Sequence, residues 1–350
     1  MRRFYPIAAP LIARLSRSDG VLSRDILQAE EVEEVEPPFL SDTSRALVTA
    51  THPWTNPAFE LELADARTAT HMPVIRINHG PGIVGPDGFA TRFSRQRLGN
   101  TFGKNALTAR AGHAPQIAYL NDLSTHLYFG HWLKDGVPQT FLADDGHYYF
   151  SNPESWHHCT EYREILELRP RDTEYLYADE IVTFSDFAQG SLKRKRYQKM
   201  KACLADTLPA PTKDHPKVFL WRGNAGASRN FRDPQQVYDR LVADGWHMVE
   251  VTAPLATLYQ ALSGAQIVAG MEGSHLNHVH FCTKPGTIQI ILVPHDHFNM
   301  VHLGLARAVG NTCGFCVLSG SGQDGYVMDF DAFAEAIDGT SSIQAKSKVV

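Results

Sequence analysis

The chain of 350 residues has few cysteines, no long apolar run and no excess of basic charge. Its five cysteines are sparse and odd in number, so the sequence does not indicate a disulfide framework, and we expect a reducing compartment. No stretch approaches the roughly 20 apolar residues that a membrane-spanning helix needs. Thirty-three basic residues against 38 acidic ones give a net charge of −5, which argues against nucleic acid as a partner. We therefore expect a globular, cytoplasmic protein.

Two basic segments leave peripheral contact with a membrane open. Arg2 and Arg3 stand at the start of the chain, and residues 193–196 (KRKR) form the densest basic run. The run has two interpretations: contact with the inner face of a membrane, or a solvated helix that joins two domains. We favour the solvated helix. The sequence does not indicate an oligomeric state.

The 17 histidines are an unusual excess and raise the question of a metal site. His275, His278, His280 and His295 fall in two short stretches, but His278 and His280 are two residues apart on a predicted helix and cannot face one ion. No H-E-x-x-H motif is present. We expect no metal and no cofactor, and we keep His278 and His295 only as candidates for the lining of a cleft.

Two shorter motifs have structural interpretations. Cys313 and Cys316 have C-x-x-C spacing, but no second ligand pair follows, so we interpret them as buried thiols rather than a zinc or redox site. Asp329 and Asp331 form a D-x-D pair of the kind that binds metals. Because the pair begins a predicted helix, we interpret it as a helix cap.

The first half of the chain has short strand-like segments. Phe59, Leu61 and Leu63 alternate with polar or small residues and predict a half-buried strand, whereas residues from about 128 to 143 have helical periodicity. Two prolines within residues 208–212 mark a linker. The predicted division is an N-terminal segment 1–40, an α/β domain 41–190, a basic helix and Pro-rich linker 191–213, a Rossmann-like domain 214–340 and a tail 341–350.

After the linker, strands and helices alternate strictly. The predicted strands are 218–221, 247–251, 266–269 and 287–293, and the predicted helices are 234–243, 255–262, 274–282 and 331–337. Alternation of this kind is typical of βαβ units. The second half is therefore predicted to be a doubly wound parallel sheet within an α/β fold.

In such a sheet, ligands bind outside the carboxyl ends of the strands. Arg222 and Arg229 follow the strand 218–221, with Asn224 between them. Two guanidinium groups suit the oxygens of a diphosphate, because they stay charged and bind phosphate through two parallel hydrogen bonds. The alternative is a surface turn with incidental arginines.

Gly273, Ser274 and His275 connect the next strand to a helix. Glycine lets backbone N–H groups approach a phosphate, and the helix N-terminus adds partial positive charge. Ser274 is alternatively only an N-cap. Together with the arginine loop, this segment predicts a site for a nucleotide diphosphate.

In the first half, His131 and Asp135 are four residues apart and fall on one face of the predicted helix. An imidazole and a carboxylate side by side can remove a proton from a hydroxyl group. A carboxylate can equally hold a structural histidine in one tautomer. The spacing leaves both interpretations open.

These segments carry a resemblance to glycosyltransferase family 61. The family signature F-x-H-W/F-L-x-D/E-x-x-P is similar to residues 129–138 (FGHWLKDGVP), and its two arginines are similar to Arg222 and Arg229. The block A-x-x-V-V-G-x-H-G-A-x-L-T-N-x-x-F is similar to residues 265–281 (AQIVAGMEGSHLNHVHF). The chain departs from the pattern where Glu272 replaces the family's histidine and His278 its asparagine.

The resemblance implies two Rossmann-like domains that face a cleft, the GT-B arrangement, with the donor nucleotide in the C-terminal domain and the acceptor held mainly by the N-terminal one. It implies an inverting hexosyl- or pentosyltransferase that moves a sugar from a nucleotide-sugar donor to a glycan or other hydroxyl acceptor. Surface polysaccharide or glycoconjugate synthesis is the expected context.

Within that family frame, roles follow for the candidate residues. The diphosphate is expected to contact Arg222, Arg229, Gly273, Ser274 and His275. Asp135, aided by His131, is the expected general base, and Glu272 is the rival base. Two alternatives stay open: a nucleotide-sugar epimerase with a similar cleft, and a glycan-binding module that has lost catalysis.

Overall fold

The computed structural model of the chain describes residues 20–53, 55–92, 94–98, 102, 106, 112–144, 147–150, 156–171, 174–211, 213, 215–223 and 229–347. These residues form two compact units. Unit 1 comprises the described residues up to Glu31 together with His71–Arg196. Unit 2 comprises Val32–Thr70 and the described residues from Tyr197 onward.

Both units combine strands and helices. The strands are β1 (Ser23–Gln28), β2 (Glu31–Glu34), β3 (Phe39–Leu40), β4 (Thr68–His71), β5 (Val74–Asn78), β6 (Gly82–Gly85), β7 (Gly88–Thr91), β8 (Arg95–Arg97), β9 (Gly112–Tyr119), β10 (Tyr148–Tyr149), β11 (Leu176–Ser185), β12 (Lys217–Trp221), β13 (His247–Glu250), β14 (Ile267–Met271), β15 (Ile288–Pro294), β16 (Thr312–Ser321) and β17 (Gly325–Val327). The helices and helical turns are α1 (Asp42–Leu47), α2 (Pro57–Asp65), α3 (Leu123–Leu127), α4 (Phe129–His131), a π turn (Trp132–Gly136), α5 (Val137–Thr140), α6 (His157–Ile165), α7 (Ser191–Thr207), α8 (Pro234–Ala243), α9 (Leu255–Leu262), a 3₁₀ turn (Ser274–Leu276), α10 (Asn277–Cys282), α11 (Val301–Ala308) and α12 (Phe330–Ser347).

Unit 1 is built on a mixed, mostly antiparallel sheet. The order is β1-β5-β11-β6-β7-β8, with antiparallel pairs throughout this path, and β9 is parallel to β11. Consecutive strands such as β6 and β7 are joined by tight turns, and a tight turn reverses the chain direction. The described part of unit 1 therefore does not match the Rossmann-like domain that we expected in this half.

The predicted strand at residues 59–64 is wrong, because α2 occupies this segment. Pro57 stands at the first helical position and the Asn56 side chain accepts a hydrogen bond from the Phe59 N–H at 3.0 Å, so the start signals for a helix outweigh the alternation. The buried face consists of Glu60 and Ala64, whereas Phe59 is exposed. The Glu60 carboxylate accepts a hydrogen bond from the Met300 N–H.

Unit 2 contains the parallel sheet that the sequence predicts. Its order is β13-β12-β14-β15-β16, with parallel pairs throughout this path, and β17 adds an antiparallel edge strand. In order of sequence this is 2-1-3-4-5, so the direction of winding reverses between β12 and β14. Ligands bind at such a switch point in open α/β sheets.

The sequence analysis missed β16 but interpreted its cysteines correctly as buried thiols. Cys313 and Cys316 lie on β16, three residues apart, and therefore point to opposite faces of the strand. Both thiols are free and buried, and burial raises the pKa of Cys316 to about 12. The D-x-D pair is also a cap, since the Asp329 carboxylate accepts hydrogen bonds from the N–H groups of Asp331 and Ala332 at the start of α12.

The basic run lies at the start of α7 and is not a fully solvated face. Lys193 and Arg196 are buried, whereas Lys195 is exposed. Arg196 forms two hydrogen bonds with the carboxylate of Asp186, at 2.7 and 2.9 Å. Guanidinium and carboxylate planes match in this way, so the charge of Arg196 is compensated inside the protein.

The chain passes from unit 1 to unit 2 within α7, between Arg196 and Tyr197, rather than at the proline linker. Residues 32–70 also belong to unit 2, although the sequence analysis placed most of them in the N-terminal domain. α7 ends at Thr207, before Pro209, as the two prolines indicate. Among the described residues, no helix combines the length and the hydropathy needed to cross a membrane.

Candidate active site

In unit 1, the helix that carries His131 and Asp135 widens into a π turn over Trp132–Gly136, where the Val137 N–H donates to the Trp132 carbonyl. A proline inside an α-helix clashes with the carbonyl four residues earlier, and the wider turn accommodates Pro138. A Cβ at Gly136 would lie 2.6 Å from the Phe150 ring, so only glycine fits there. The sequence thus encodes a local departure from α-helix beside the predicted catalytic pair.

His131 and Asp135 lie side by side, as their spacing indicates. The His131 Nδ1 atom is 2.8 Å from Asp135 Oδ2, and the Lys193 ammonium donates to Asp135 Oδ1 at 3.0 Å. The His131 side chain is 40% exposed, that of Asp135 only 7%, and that of Lys193 not at all. Lys193 also donates to the carbonyl of Asp186. The carboxylate is therefore fixed by two partners, while the imidazole is accessible.

The pKa of the Asp135 carboxyl reflects these opposing influences. Burial raises the pKa of this carboxyl. The ammonium groups of Lys193 and Lys134 and the hydrogen bond from His131 lower it by more, so the pKa lies well below its usual range. Asp135 is consequently a carboxylate at any physiological pH. A carboxylate stabilised in this way is a weak proton acceptor, and it favours the tautomer of His131 that carries its proton on Nδ1.

In unit 2, Arg222 and Arg229 converge on one residue. Arg222 follows β12 and Glu272 follows β14, at the point where the strand order reverses. The Nη1 atoms of both arginines donate to the Glu272 carbonyl, each at 3.0 Å, and Arg229 also forms an ion pair with the Glu272 carboxylate. The Glu272 N–H is held in turn by the Leu292 carbonyl of β15. Two guanidinium groups thus lie together at the carboxyl edge of the sheet.

The groups around this arginine pair have shifted pKa values. Burial lowers the pKa of Arg222 to about 10, with Arg229 acting in the same direction and Glu272 against it. Burial also raises the pKa of the Glu272 carboxyl, although Arg229 and Arg222 oppose the shift. His297 accepts a hydrogen bond from Arg229 at 2.7 Å through Nε2, and burial together with Arg229 lowers its pKa to about 4. At neutral pH the arginines carry the positive charge and His297 is neutral.

Gly273 permits the close packing of this cluster. Its φ is +155°, and a Cβ there would lie 2.9 Å from Arg222 Nη1 and 3.0 Å from the His275 ring. Burial and the neighbouring Arg222 lower the pKa of His275 well below the usual range. The His275 Nε2 atom is buried and has no hydrogen-bond partner among the described residues. Arg222, Arg229, Glu272, Gly273 and His275 therefore form one cluster.

The other predicted site residues lie elsewhere or outside the described residues. Ser274 is exposed at the start of a 3₁₀ turn, and its side chain forms no N-cap bond. The helix predicted at 274–282 is this turn followed by a helix of six residues, α10, so its dipole is smaller than expected. His278 is buried on α10. His295 bonds Thr49 and the carbonyl of Gly320, which ties loops together, and Asn224 falls outside the described residues.

In the described part of the chain, no three His, Cys, Asp or Glu side chains are grouped in a way that holds a metal ion. His280 and His302 are instead hydrogen-bonded to each other, at 3.2 Å between ring nitrogens, and Gln289 bonds the other ring nitrogen of His280. These histidines belong to the interior of unit 2, since His280 and His302 are both buried.

Sequence reasoning missed Lys193 as a member of the first cluster. A signal for Lys193 was present, because Lys193, Arg196, Met200 and Leu204 follow each other at helical spacing and all are buried. The charge of the run concealed this periodicity. His297 follows a predicted strand and so falls at the ligand-binding edge of the sheet, but its contact with Arg229 joins segments 68 residues apart in sequence.

Most residues of the two clusters lie within a segment that matches a known family. Residues 129–290 match the family model described as Glycosyltransferase 61. This segment includes the His131–Asp135 pair, Lys193, both arginines and Glu272. No curated protein matches the chain. The match over residues 129–290 and the motifs within it support membership of glycosyltransferase family 61.

Proposed function

We propose that the protein transfers a sugar from a nucleotide-sugar donor to a hydroxyl group of a glycan or other acceptor, with inversion at the anomeric carbon. The observation that carries this proposal is the pair of guanidinium groups on the Glu272 carbonyl, at the switch point of a parallel sheet in a family 61 chain. Anionic ligands bind at this place in open α/β sheets, and arginine suits a diphosphate.

In the proposed reaction, Arg222 and Arg229 stabilise the leaving diphosphate. Each guanidinium uses Nη1 for the Glu272 carbonyl, and a guanidinium has five N–H donors in all. With a pKa of about 10, Arg222 remains charged at neutral pH although it is buried. Fixed positive charge in a partly water-excluded site stabilises charge that develops on a leaving group. We therefore propose a reaction that needs no metal.

The general base in this proposal is His131, with Asp135 as the residue that positions it. The Asp135 carboxylate is buried, is paired with Lys193 and has a low pKa, so it suits the orientation of an imidazole better than the acceptance of a proton. His131 is accessible, and histidine is the side chain used most often for this task. Glu272 is disfavoured as a base, because Arg229 holds its carboxylate.

The proposed step is a single displacement. His131 Nε2 takes the proton of the acceptor hydroxyl as its oxygen forms a bond to the anomeric carbon. The bond between that carbon and the diphosphate oxygen breaks on the opposite face, and its electron pair leaves with the diphosphate. The GT-B arrangement stays a prediction, as do the hexosyl or pentosyl specificity and a role in polysaccharide synthesis.

The proposal is tested by the release of nucleotide from UDP-, GDP-, ADP- and dTDP-sugars, with and without a panel of oligosaccharide acceptors. A transferase releases nucleotide in step with acceptor. An epimerase converts the donor without acceptor, and a binding module does neither. We expect activity to persist in EDTA; its loss there would overturn the metal-free mechanism. In Arg222→Ala, calorimetry should show weaker nucleotide binding, and unchanged affinity would exclude the diphosphate assignment.

A further inference from the structure

A cavity in unit 2 is lined by the arginine pair together with an acidic side chain. Its volume is about 660 Å³, and its lining includes Arg222, Arg229 and Glu250. Cavities of a few hundred Å³ and above hold small organic ligands. The space is therefore adequate for more of a donor than the diphosphate alone.

The cavity has an aromatic wall. Trp221, Phe231 and Tyr238 all line it, and the rings of Trp221 and Phe231 are stacked with centroids 5.7 Å apart. Tyr238 meets the Trp221 ring edge-on at 5.3 Å. Contacts of this kind hold the rings in place, and flat aromatic surfaces bind bases and sugars by stacking.

Glu250 is the acidic group of this cavity and lies at the carboxyl end of β13. β13 is the second strand of the first βαβ unit, and Glu250 pairs in register with Trp221, the residue before Arg222. Its carboxylate lies close to Gly223, since Oε2 is 3.8 Å from the position of a Cβ on that glycine. Among the described residues, no side chain or N–H group donates to this carboxylate.

The cavity thus has basic groups at the end of β12 and an acidic group at the end of β13. Neighbouring strands lie about 4.8 Å apart, so the end of β12 with its arginine and the end of β13 with its carboxylate are within reach of one nucleotide. A ligand that places a diphosphate on the arginines must offer a neutral hydrogen-bond donor to Glu250, because a second anion there is repelled. An acid at the end of the second strand of a dinucleotide-binding βαβ unit accepts hydrogen bonds from ribose hydroxyls.

We propose that the Glu250 carboxylate accepts hydrogen bonds from the ribose hydroxyls of the donor nucleotide and selects ribonucleotide over deoxyribonucleotide donors. This inference rests on the proposed function, since it takes the diphosphate to be bound by Arg222 and Arg229. It adds to the proposed function the class of nucleotide that the donor carries. Donors activated with uridine, guanosine, adenosine or cytidine fit the site, and deoxythymidine-activated sugars are disfavoured.

The test measures binding of the diphosphates of uridine, guanosine, adenosine and cytidine by calorimetry. The tightest of the four is then compared with its 2′-deoxy and 3′-deoxy forms, on the wild-type protein, on Glu250→Gln and on Glu335→Gln. Glu335 is an exposed acid of α12 and controls for the loss of one negative charge. Gln keeps the size of the side chain and removes the charge that strengthens the hydrogen bond.

We expect the wild type and Glu335→Gln to bind the ribonucleotide about ten- to a hundredfold tighter than at least one deoxy form, the range for hydrogen bonds to a charged group. In Glu250→Gln, the ribonucleotide should lose most of this advantage while affinity for that deoxy form changes little. An unchanged ratio in Glu250→Gln would overturn the inference and leave the proposed function intact. Failure of all four diphosphates to bind the wild type would overturn both. Arg222→Ala separates the two roles, because it should weaken ribose and deoxyribose forms alike.

Discussion

The two polar clusters each contain a buried carboxylate beside basic groups, yet the pKa values of the two carboxyls shift in opposite directions. The pKa of Asp135 is lowered, because Lys193 and His131 each bond one of its oxygens and Lys134 adds a further charge. The pKa of Glu272 is raised, because burial outweighs the arginines around it. The two side chains are almost equally buried, with 7% and 8% of their surface exposed, so the opposite shifts depend on whether the neighbouring positive groups outweigh the effect of burial.

The difference also separates the proposed tasks. In unit 1 the carboxylate is fully paired, and the group that remains accessible is the imidazole of His131. In unit 2 the carbonyl of Glu272 accepts hydrogen bonds from two guanidinium groups, and its carboxylate forms an ion pair with one of them, that of Arg229. The first cluster is suited to moving a proton and the second to binding an anion. Variants in the two clusters should thus have different kinetic signatures.

The largest effect is expected for His131→Gln. Loss of a general base lowers turnover about 10²–10⁴-fold, whereas affinity for the donor nucleotide should not change, since the arginines of unit 2 are intact. Turnover and calorimetric affinity are measured on the same preparation. Arg222→Ala provides the reverse pattern, with weakened donor binding. Near-wild-type turnover in His131→Gln would show that His131 is not the general base.

Asp135→Asn examines the positioning residue of the same cluster. Turnover should again nearly vanish with nucleotide binding retained, but stability should fall as well, because the variant leaves Lys193 buried beside a neutral group. A variant with full turnover would show that Asp135 is not needed to position His131.

The next effect concerns the buried ion pair of unit 1. Lys193→Met keeps the length of the side chain but leaves the Asp135 carboxylate without its principal charge partner, which costs about 3–5 kcal/mol in the free energy of unfolding for a pair of this kind. Lys195→Met is the matched control on the same helix, and as an exposed change it should alter stability by less than about 0.5 kcal/mol. Equal values in denaturant titrations would show that the pair does not stabilise the fold.

A smaller effect is expected for Gly273→Ala in unit 2. The new methyl group would displace the guanidinium of Arg222 and the ring of His275, and strained backbone adds about 1–3 kcal/mol. Donor affinity should fall about tenfold or more. Gly245→Ala also places a side chain at a positive φ, +82°, but nothing lies within 4 Å of the added atom, so this control shows the effect of backbone strain without close packing. If both variants bind the nucleotide equally well, the packing of Gly273 is irrelevant to the site.

The smallest effect is the dependence of stability on pH. Asp135 has a lowered pKa, so its contribution is present above the unfolded value of about 4 and is lost as the pH falls below it. Glu272 has a raised pKa, so stability declines as the pH rises from about 4 towards the folded value. Each slope is at most about 1.4 kcal/mol per pH unit. Asp135→Asn should flatten the acid limb, and Glu272→Gln should remove the opposite slope; parallel curves would contradict the comparison.

The parallel half of the fold was predictable because its pattern is local. Four predicted strands and the helices at 234–243 and 255–262 coincide closely with β12–β15, α8 and α9. Prediction failed where one local signal competed with another. At residues 59–64 an alternating pattern was outweighed by Asn56 and Pro57, which start a helix.

The candidate site was predictable to the extent that its residues are close in sequence. The i, i+4 spacing of His131 and Asp135 indicated a pair, and strand ends indicated the arginines. The roles of Lys193 and Glu272 depend on contacts 58 and 43 residues away along the chain, which no local pattern encodes. The antiparallel sheet of unit 1 was missed for a similar reason, since its strand order is set by long-range pairing.

The burial of Lys193 also affects its chemical reactivity. Its ammonium group has no exposed surface and donates to two oxygens, whereas Lys195 on the same helix is exposed. Amine-reactive reagents need an unprotonated and accessible nitrogen, so in the folded protein they should acylate Lys195 and spare Lys193. Acylation of Lys193 would then report the opening of the first turn of α7, and it would mark those molecules in which the carboxylate beside His131 has lost its partner.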